Sequence, residues 1–264
     1  MIDKHPGVAC ITGATSGIGE AFARRFASEG YNLVITGRRD DKIQTLAKEI
    51  SDKYRIKVDV EIAELSDSAT LQTLADKLGE MKNLEILVNN AGFSVKEFFH
   101  SENFSTQEKM LKVHCLATMK LTHAVLSNMI ANGKGTIINV SSLSAFSPFP
   151  TNAVYAATKR FVLMFSESLH LELKGTGVKV QALCPGMTRT DFHERMGYDR
   201  KKVYKRKGLM KAMSAEEVVD ISLKCLKKDK VVCIPGFHNK FITVLLKTLP
   251  RSVTYKIALK VMKK

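Results

Sequence analysis

Two apolar rhythms alternate along the chain. Short apolar or alternating runs at residues 8–12, 32–36, 57–62, 84–88, 135–140 and 178–183 are five or six residues long and rich in Val and Ile, as strands are. Between them the spacing becomes helical. After a glycine turn, Ala21, Phe22, Phe26 and Ala27 share one side of a helix, and Ile43, Leu46, Ala47 and Ile50 share one face of a helix over 40–54. Further helices are predicted over 68–78, 106–131 and 153–174. Ser214 and Glu217 have capping-box spacing at the start of another helix, which a strand over 231–234 follows. The segment 241–249 is then apolar at helical spacing until Pro250 interrupts it. Strands separated by helices of this length build βαβ units, and right-handed crossovers place helices on both faces of a parallel sheet. The predicted architecture is α/β, a doubly wound parallel sheet, with residues 1–264 in a single domain.

Composition changes this picture little, and charge changes it locally. The chain of 264 residues is 45% hydrophobic, enough for a substantial core, and no apolar stretch approaches the roughly 18 residues of a membrane-spanning helix. The first residues run into a strand without a charged leader and apolar segment, so a cytoplasmic location is expected. Cys10, Cys115, Cys184, Cys225 and Cys233 lie far apart and read as reduced core cysteines. The histidines lack metal-ligand spacing, so no metal is expected. Residues 195–264 carry 19 of the 41 basic and 5 of the 26 acidic side chains, which leaves the first 194 positions nearly balanced. The positive field therefore belongs to one surface, and without a recognition motif no nucleic-acid partner is expected.

The turn after the first strand reads Thr12-Gly13-Ala14-Thr15-Ser16-Gly17-Ile18-Gly19. Glycines let backbone approach a pyrophosphate, and the helix that follows offers free N–H groups and a favourable dipole. A dinucleotide site on a Rossmann fold is the expectation. At the end of the second strand stand Gly37-Arg38-Arg39, with no carboxylate to hold a ribose 2′-hydroxyl or to repel a 2′-phosphate. Arg38, with Arg39 beside it, can meet that phosphate with forked, charge-assisted hydrogen bonds, so the expected cofactor is NADP.

Tyr155 and Lys159 are spaced i, i+4, on one face of a probable helix start, with Ser142 thirteen positions upstream. An unperturbed phenol has a pKa near ~10, which a neighbouring ammonium would lower toward a working acid–base. Ser142, just past a buried strand, could hold a substrate oxygen.

These motifs, with Asn89-Asn90-Ala91-Gly92 and Pro185-Gly186-Met187-Thr188-Arg189-Thr190, resemble the short-chain dehydrogenase/reductase family over nearly the whole chain, in particular its NADP-preferring hydroxysteroid dehydrogenases and long-chain ketone reductases. The resemblance implies hydride transfer between nicotinamide and a carbonyl or secondary alcohol. It implies that Tyr155 is the acid–base, that Lys159 holds the nicotinamide ribose and tunes Tyr155, and that Ser142 orients substrate. Gly13, Thr15, Ser16, Gly17, Ile18, Gly19, Asn90, Ala91, Gly92, Pro185 and Gly186 would line the cofactor, with Thr188 or Thr190 toward the nicotinamide. Asn89 would support the central strand, Glu64-Leu65 would flank the adenine, 191–213 would form a substrate lid, and the assembly would be a homodimer or homotetramer.

Three readings stay open. His114 stands where the family has an asparagine that organises a proton relay, and its ring either takes over that hydrogen bonding or only packs. Phe93, Phe98, Phe99, Phe146 and Phe149 suit an apolar substrate, although some must be core. The basic extension 238–264, with the run Arg200-Lys201-Lys202-Val203-Tyr204-Lys205-Arg206-Lys207, either packs on the protein or rests on anionic lipid. A non-catalytic NADP-binding scaffold on the same fold is the competing function.

Overall fold

A computed structural model describes residues 7–199, 204 and 212–262. Seven strands form one parallel sheet in the order β3-β2-β1-β4-β5-β6-β7. They are β1 (Val8–Ile11), β2 (Asn32–Gly37), β3 (Val58–Ile62), β4 (Leu84–Asn89), β5 (Gly135–Val140), β6 (Val178–Leu183) and β7 (Val232–Cys233). The buried runs of Val, Ile and Leu in β1, β2, β4, β5 and β6 are what a sheet covered on both faces requires, whereas edge strand β3 is only partly buried. Helices α1 (Gly17–Ser28), α2 (Asp40–Tyr54) and α8 (Ala215–Lys227) cover one face, where Phe22, Phe26, Ile43, Ile50 and Val218 pack on Ile11, Ile35 and Val88. Helices α3 (Ser68–Glu80), α5 (Ala117–Ala131) and α6 (Ala153–Glu172) cover the other, where Leu71, Leu121, Val125 and Leu169 meet Cys10, Leu87 and Ile137. All five cysteines are buried and unpaired.

The strand order reverses between β1 and β4, and doubly wound sheets bind ligands at the carboxyl ends of the strands at that point. The capping box forms as read, with Ser214 N donating to Glu217 Oε2 at 2.8 Å and Glu217 N donating to Ser214 Oγ at 3.1 Å.

Two elements differ from the pattern. The predicted 106–131 helix is α4 (Phe104–Leu111) joined to α5 through a π-helical turn at Lys112–Leu116, with His114 at its centre. The apolar spacing that marks a helix does not register one extra residue in one turn. The C-terminal segment forms α9 (Phe237–Thr248), which starts four residues before the predicted 241, and α10 (Arg251–Met262), which the pattern did not resolve. Pro250 sits between them, where it ends one helix and permits the next. Of the basic run, all but Tyr204 lies outside the described residues, as do Met210, Lys263 and Lys264.

Candidate active site

The glycine turn is stitched to the end of β4. Thr12 Oγ1 accepts from Asn90 N at 2.9 Å and Ala91 N at 3.0 Å, and Asn90 Nδ2 donates to the Thr12 and Gly13 carbonyls at 2.9 and 3.0 Å. The Asn90 amide is thus used on the turn itself, beneath a ligand rather than toward it. Gly17 adopts φ +62, and a Cβ there would lie 2.7 Å from Thr190 Cγ2, so only glycine lets the 185–190 loop close against the turn. Gly19 is buried at the start of α1. Ile18 and Leu65 direct their side chains into the core, which leaves their backbone for a ligand. Asn89 turns away from the turn and donates to Thr122 Oγ1 and Asn139 Oδ1 inside the α5–α6 layer.

At the end of β2 the cations gather. Arg39 folds back over the turn and donates to Thr15 Oγ1 at 2.7 Å, the Thr15 carbonyl at 3.1 Å and Ser16 Oγ at 3.2 Å. Arg195, from the short α7 (Phe192–Arg195), reaches the same Ser16 Oγ at 2.7 Å. Burial and the Arg39 and Arg38 charges push the Arg195 guanidinium below its usual range, against the pull of Asp191. Arg38 is exposed and pairs with Glu64 at 3.1 Å. Burial disfavours the Glu64 carboxylate, but hydrogen bonds from Ser66 and Arg38 prevail and lower its pKa. Two guanidiniums on one hydroxyl, with Arg38 close by on Glu64, fit a terminal phosphate monoester on the cofactor ribose. A cleft of about 500 Å³, lined by Thr15, Ser16, Gly17, Arg24 and Thr190 among others, opens beside them. Neither Ser142, Tyr155 and Lys159 nor Arg38, Arg39 and Arg195 line it; it lies between α1, α2 and the 189–191 segment. Glu64 stands as the anchor of Arg38, a role its place beside an adenine did not suggest. Arg195 was not singled out by the sequence, because its partner Ser16 is 179 positions away.

The reacting end lies where β5 meets α6. Ser141 Oγ donates to the Lys159 carbonyl at 2.7 Å and Lys159 Nζ donates to the Val140 carbonyl at 2.9 Å, which locks the helix to the strand end. Ser142 begins a 3₁₀ turn (Leu143–Phe146), and its Oγ accepts from Ser144 N. Burial pushes the Tyr155 phenol up to about 12, with a hydrogen bond to Ser142 acting in the opposite direction. The expected lowering by Lys159 is not among the influences on this phenol. The ammonium stands 5.7 Å from the centre of the Tyr155 ring and spends a proton on Val140, and dehydration of the phenolate dominates. Lys159, itself buried, is lowered to about 8 by loss of hydration.

His114 is held by hydrogen bonds at both ring nitrogens. Nε2 lies 3.1 Å from Phe93 N, which can only donate, so Nε2 accepts. Thr158 Oγ1 donates its proton to the Tyr155 carbonyl at 2.8 Å, so Nδ1, 2.8 Å from the same oxygen, carries the ring proton and donates it. Burial first, and the Lys159 charge second, hold the ring well below the usual imidazole pKa and keep it neutral. Both ring nitrogens are satisfied, and the ring stands edge-on to Tyr155 at 5.7 Å between centroids. It ties the segment after Gly92 to the helix of Tyr155 and Lys159.

On the substrate side, Thr190 packs against Gly17 and Thr188 forms a bridge to Met213. Pro185 O accepts from Leu143 N, and Thr188 Oγ1 donates to Gly186 O. Tyr204 Oη is 3.0 and 2.9 Å from the Thr188 and Thr190 carbonyls and 3.1 Å from His193 Nδ1. Phe192 reaches within 6.0 Å of the Tyr155 ring centre. Phe93 lies against His114, and Phe146 packs into a small satellite core. Phe98 and Phe99 are largely exposed on a surface turn; Phe98 stacks on His100, while Phe99 lines a small cavity that Tyr155 also lines. Alternation along a sequence cannot tell a pocket phenylalanine from one on a turn.

Known proteins share this sequence pattern and fold. A family model for short chain dehydrogenase matches residues 7–201. Sulfoacetaldehyde reductase 2 of Chromohalobacter salexigens is 37% identical over 188 residues, which cover 70% of this chain and 74% of that protein. A short-chain dehydrogenase from Sphingobium yanoikuyae in complex with NADPH superposes with a TM-score of 0.82 at 31% identity, covering 92% of this chain and 96% of that one. The bulky-bulky ketone specific alcohol dehydrogenase from Comamonas testosteroni gives a TM-score of 0.78 at 30% identity, with 93% and 96% covered. This chain is an oxidoreductase and belongs to the short chain dehydrogenase family.

Proposed function

We propose that this protein moves a hydride between NADP and the carbonyl or secondary alcohol of an apolar substrate, with Tyr155 as acid–base. The group of half-buried Ser142 and Tyr155 with buried Lys159 at the end of β5 carries the reading. When bound, NADPH supplies the hydride. Arg38, Arg39 and Arg195 bind its extra phosphate, and the turn at Gly13 to Gly19 accommodates the pyrophosphate. In reduction Tyr155 Oη gives its proton to the substrate oxygen as the carbon receives hydride. A phenol whose pKa burial has raised is protonated at neutral pH and ready to donate. Ser142 holds the same oxygen and then the phenolate, while the Lys159 ammonium stabilises that charge. In oxidation each transfer runs backward.

Phe192 and Phe93 support the apolar substrate class, as does the likeness to a dehydrogenase named for bulky ketones. Tyr155→Phe removes the transferable proton and is expected to lower kcat by at least the ~10²–10⁴-fold typical of an acid–base group, with NADPH affinity little changed. Wild-type turnover in the purified variant would remove the assignment. For substrate, steroid ketones, 3-oxoacyl thioesters and bulky ketones are expected to show higher kcat/KM than sulfoacetaldehyde. A preference for the sulfonate would overturn the apolar reading and leave the chemistry intact.

A further inference from the structure

The two C-terminal helices leave much of their apolar surface outward, although Ile242, Leu246 and Leu249 are half-buried on the inner side. In α9 the buried positions are Asn239 and Thr243, whereas Phe237, Phe241, Val244 and Leu245 are exposed, Phe237 to 84%. At helical spacing these four form one stripe on the side turned away from the protein. In α10 the buried positions are Thr254 and Ala258, and Val253, Tyr255, Ile257 and Leu259 lie exposed. A helix lying on a water-facing domain does the reverse. The inward polar groups are satisfied: Asn239 Nδ2 donates to the Pro235 carbonyl at 2.6 Å, and Thr243 and Thr254 bond the Asn239 and Arg251 carbonyls. These bonds are local to each helix, so the inward polar groups need no partner from the sheet, and the apolar stripe of α9 is left outward.

Charge selects what meets this face. From Lys230 to the C-terminus the sequence holds eight basic residues and no acidic one. Lys240 and Lys247 border the apolar stripe of α9, and Lys256 and Lys260 alternate with the exposed apolar positions of α10. A second copy meeting the face about a two-fold axis would oppose like charges without a carboxylate to pair them. A bilayer rich in anionic lipid satisfies both properties, because lysines are attracted to its surface and apolar side chains enter the headgroup boundary. No helix among the described residues is long and apolar enough to cross a membrane, so the contact is peripheral. We propose that α9 and α10 form a docking face for an anionic membrane surface. The face adjoins the substrate side of the site. Helix α9 packs on the turn that follows Ser142, Lys247 Nζ lies 4.8 Å above the Phe146 ring, and the Asn239 carboxamide fills the space beside Gly186. Docking therefore brings the substrate mouth beside membrane-dissolved molecules.

The test is co-sedimentation of the full chain with phosphatidylcholine vesicles, with and without phosphatidylserine, at low and high salt. Binding to the anionic vesicles is expected to be at least about tenfold stronger and to fall with salt. Phe237→Ser with Phe241→Ser, and separately Lys256→Glu with Lys260→Glu, should each abolish it without changing the melting temperature. Equal partition into both vesicle types, no partition into either, or unchanged binding of both variants would overturn the proposal. So would a lower mass by light scattering for either variant, since the face would then be a subunit contact.

Discussion

At the ribose-phosphate end, three arginines have different duties, and substitutions should separate them. Arg38 is exposed and, among the described residues, held by Glu64, so Arg38→Leu should weaken NADPH by roughly 1.5–3 kcal/mol, the scale of a charged hydrogen bond, and leave NADH unchanged. Arg39 also braces Thr15 and Ser16, so Arg39→Leu should weaken both cofactors, NADPH more. Dissociation constants from fluorescence titration decide this; a wild type that binds both cofactors equally would show that the guanidiniums do not read the phosphate. An acidic residue at position 37 is a poor alternative test, because a Cβ there would lie 2.5 Å from Thr15 Cγ2 and disturb the turn whatever its charge. At the reacting end, burial governs both partners. It raises Tyr155 to about 12 and lowers Lys159 to about 8, which leaves a neutral donor beside a lysine able to exchange protons near physiological pH.

Among the elements, the π turn at Lys112–Leu116 carries the most specific consequence. Its widened backbone turns His114 inward, where the ring joins the Phe93 amide to Thr158 and through it to the first turn of α6. Asparagine offers a donor and an acceptor of similar reach, so His114→Asn should retain most activity. Leucine leaves the Phe93 N–H without its acceptor, so His114→Leu should lower stability by about 1–3 kcal/mol and reduce kcat more than it raises KM. Wild-type kinetics in the leucine variant would reduce the ring to filler. The ring also sets an acid limit. Its folded pKa lies well below the free value, so in acid the unfolded chain binds a proton that the folded protein refuses. Stability from this group is intact above the free-imidazole pKa near ~6.5 and falls by about 1.4 kcal/mol for each pH unit below it. Denaturant melts at pH 5 and 7.5 should show a smaller acid loss for His114→Asn than for wild type.

For the whole molecule, a second exposed apolar surface lies on the layer opposite α1, α2 and α8. Leu111, Leu116 and Met119 on the α4–α5 helix and Phe161 and Met164 on α6 are all exposed, and α6 packs against α4 and the π turn. Without the dense positive charge of the tail, such a face suits self-association. Leu116→Glu with Met164→Glu is expected to convert an oligomer into monomers in light scattering. A monomeric wild type would remove the premise.

The order of elements, the glycine turn, the Tyr155–Lys159 spacing and the capping box at Ser214 were legible in the sequence because each is a local pattern: a period, a turn chemistry or an i, i+4 offset. What tertiary structure alone decided involves partners far apart in the chain or conflicts between burial and charge. Arg195 reaches Ser16 only after α7 folds over the glycine turn, and Tyr204 meets Thr188 and Thr190 only when the 185–190 loop has closed. Whether Lys159 or burial sets the Tyr155 pKa depended on where the ammonium spends its protons, which spacing does not reveal. The C-terminal helices show the limit most clearly. Their periodicity announces an apolar face, but only docking through Asn239, Thr243, Thr254 and Ala258 determined that this face points outward.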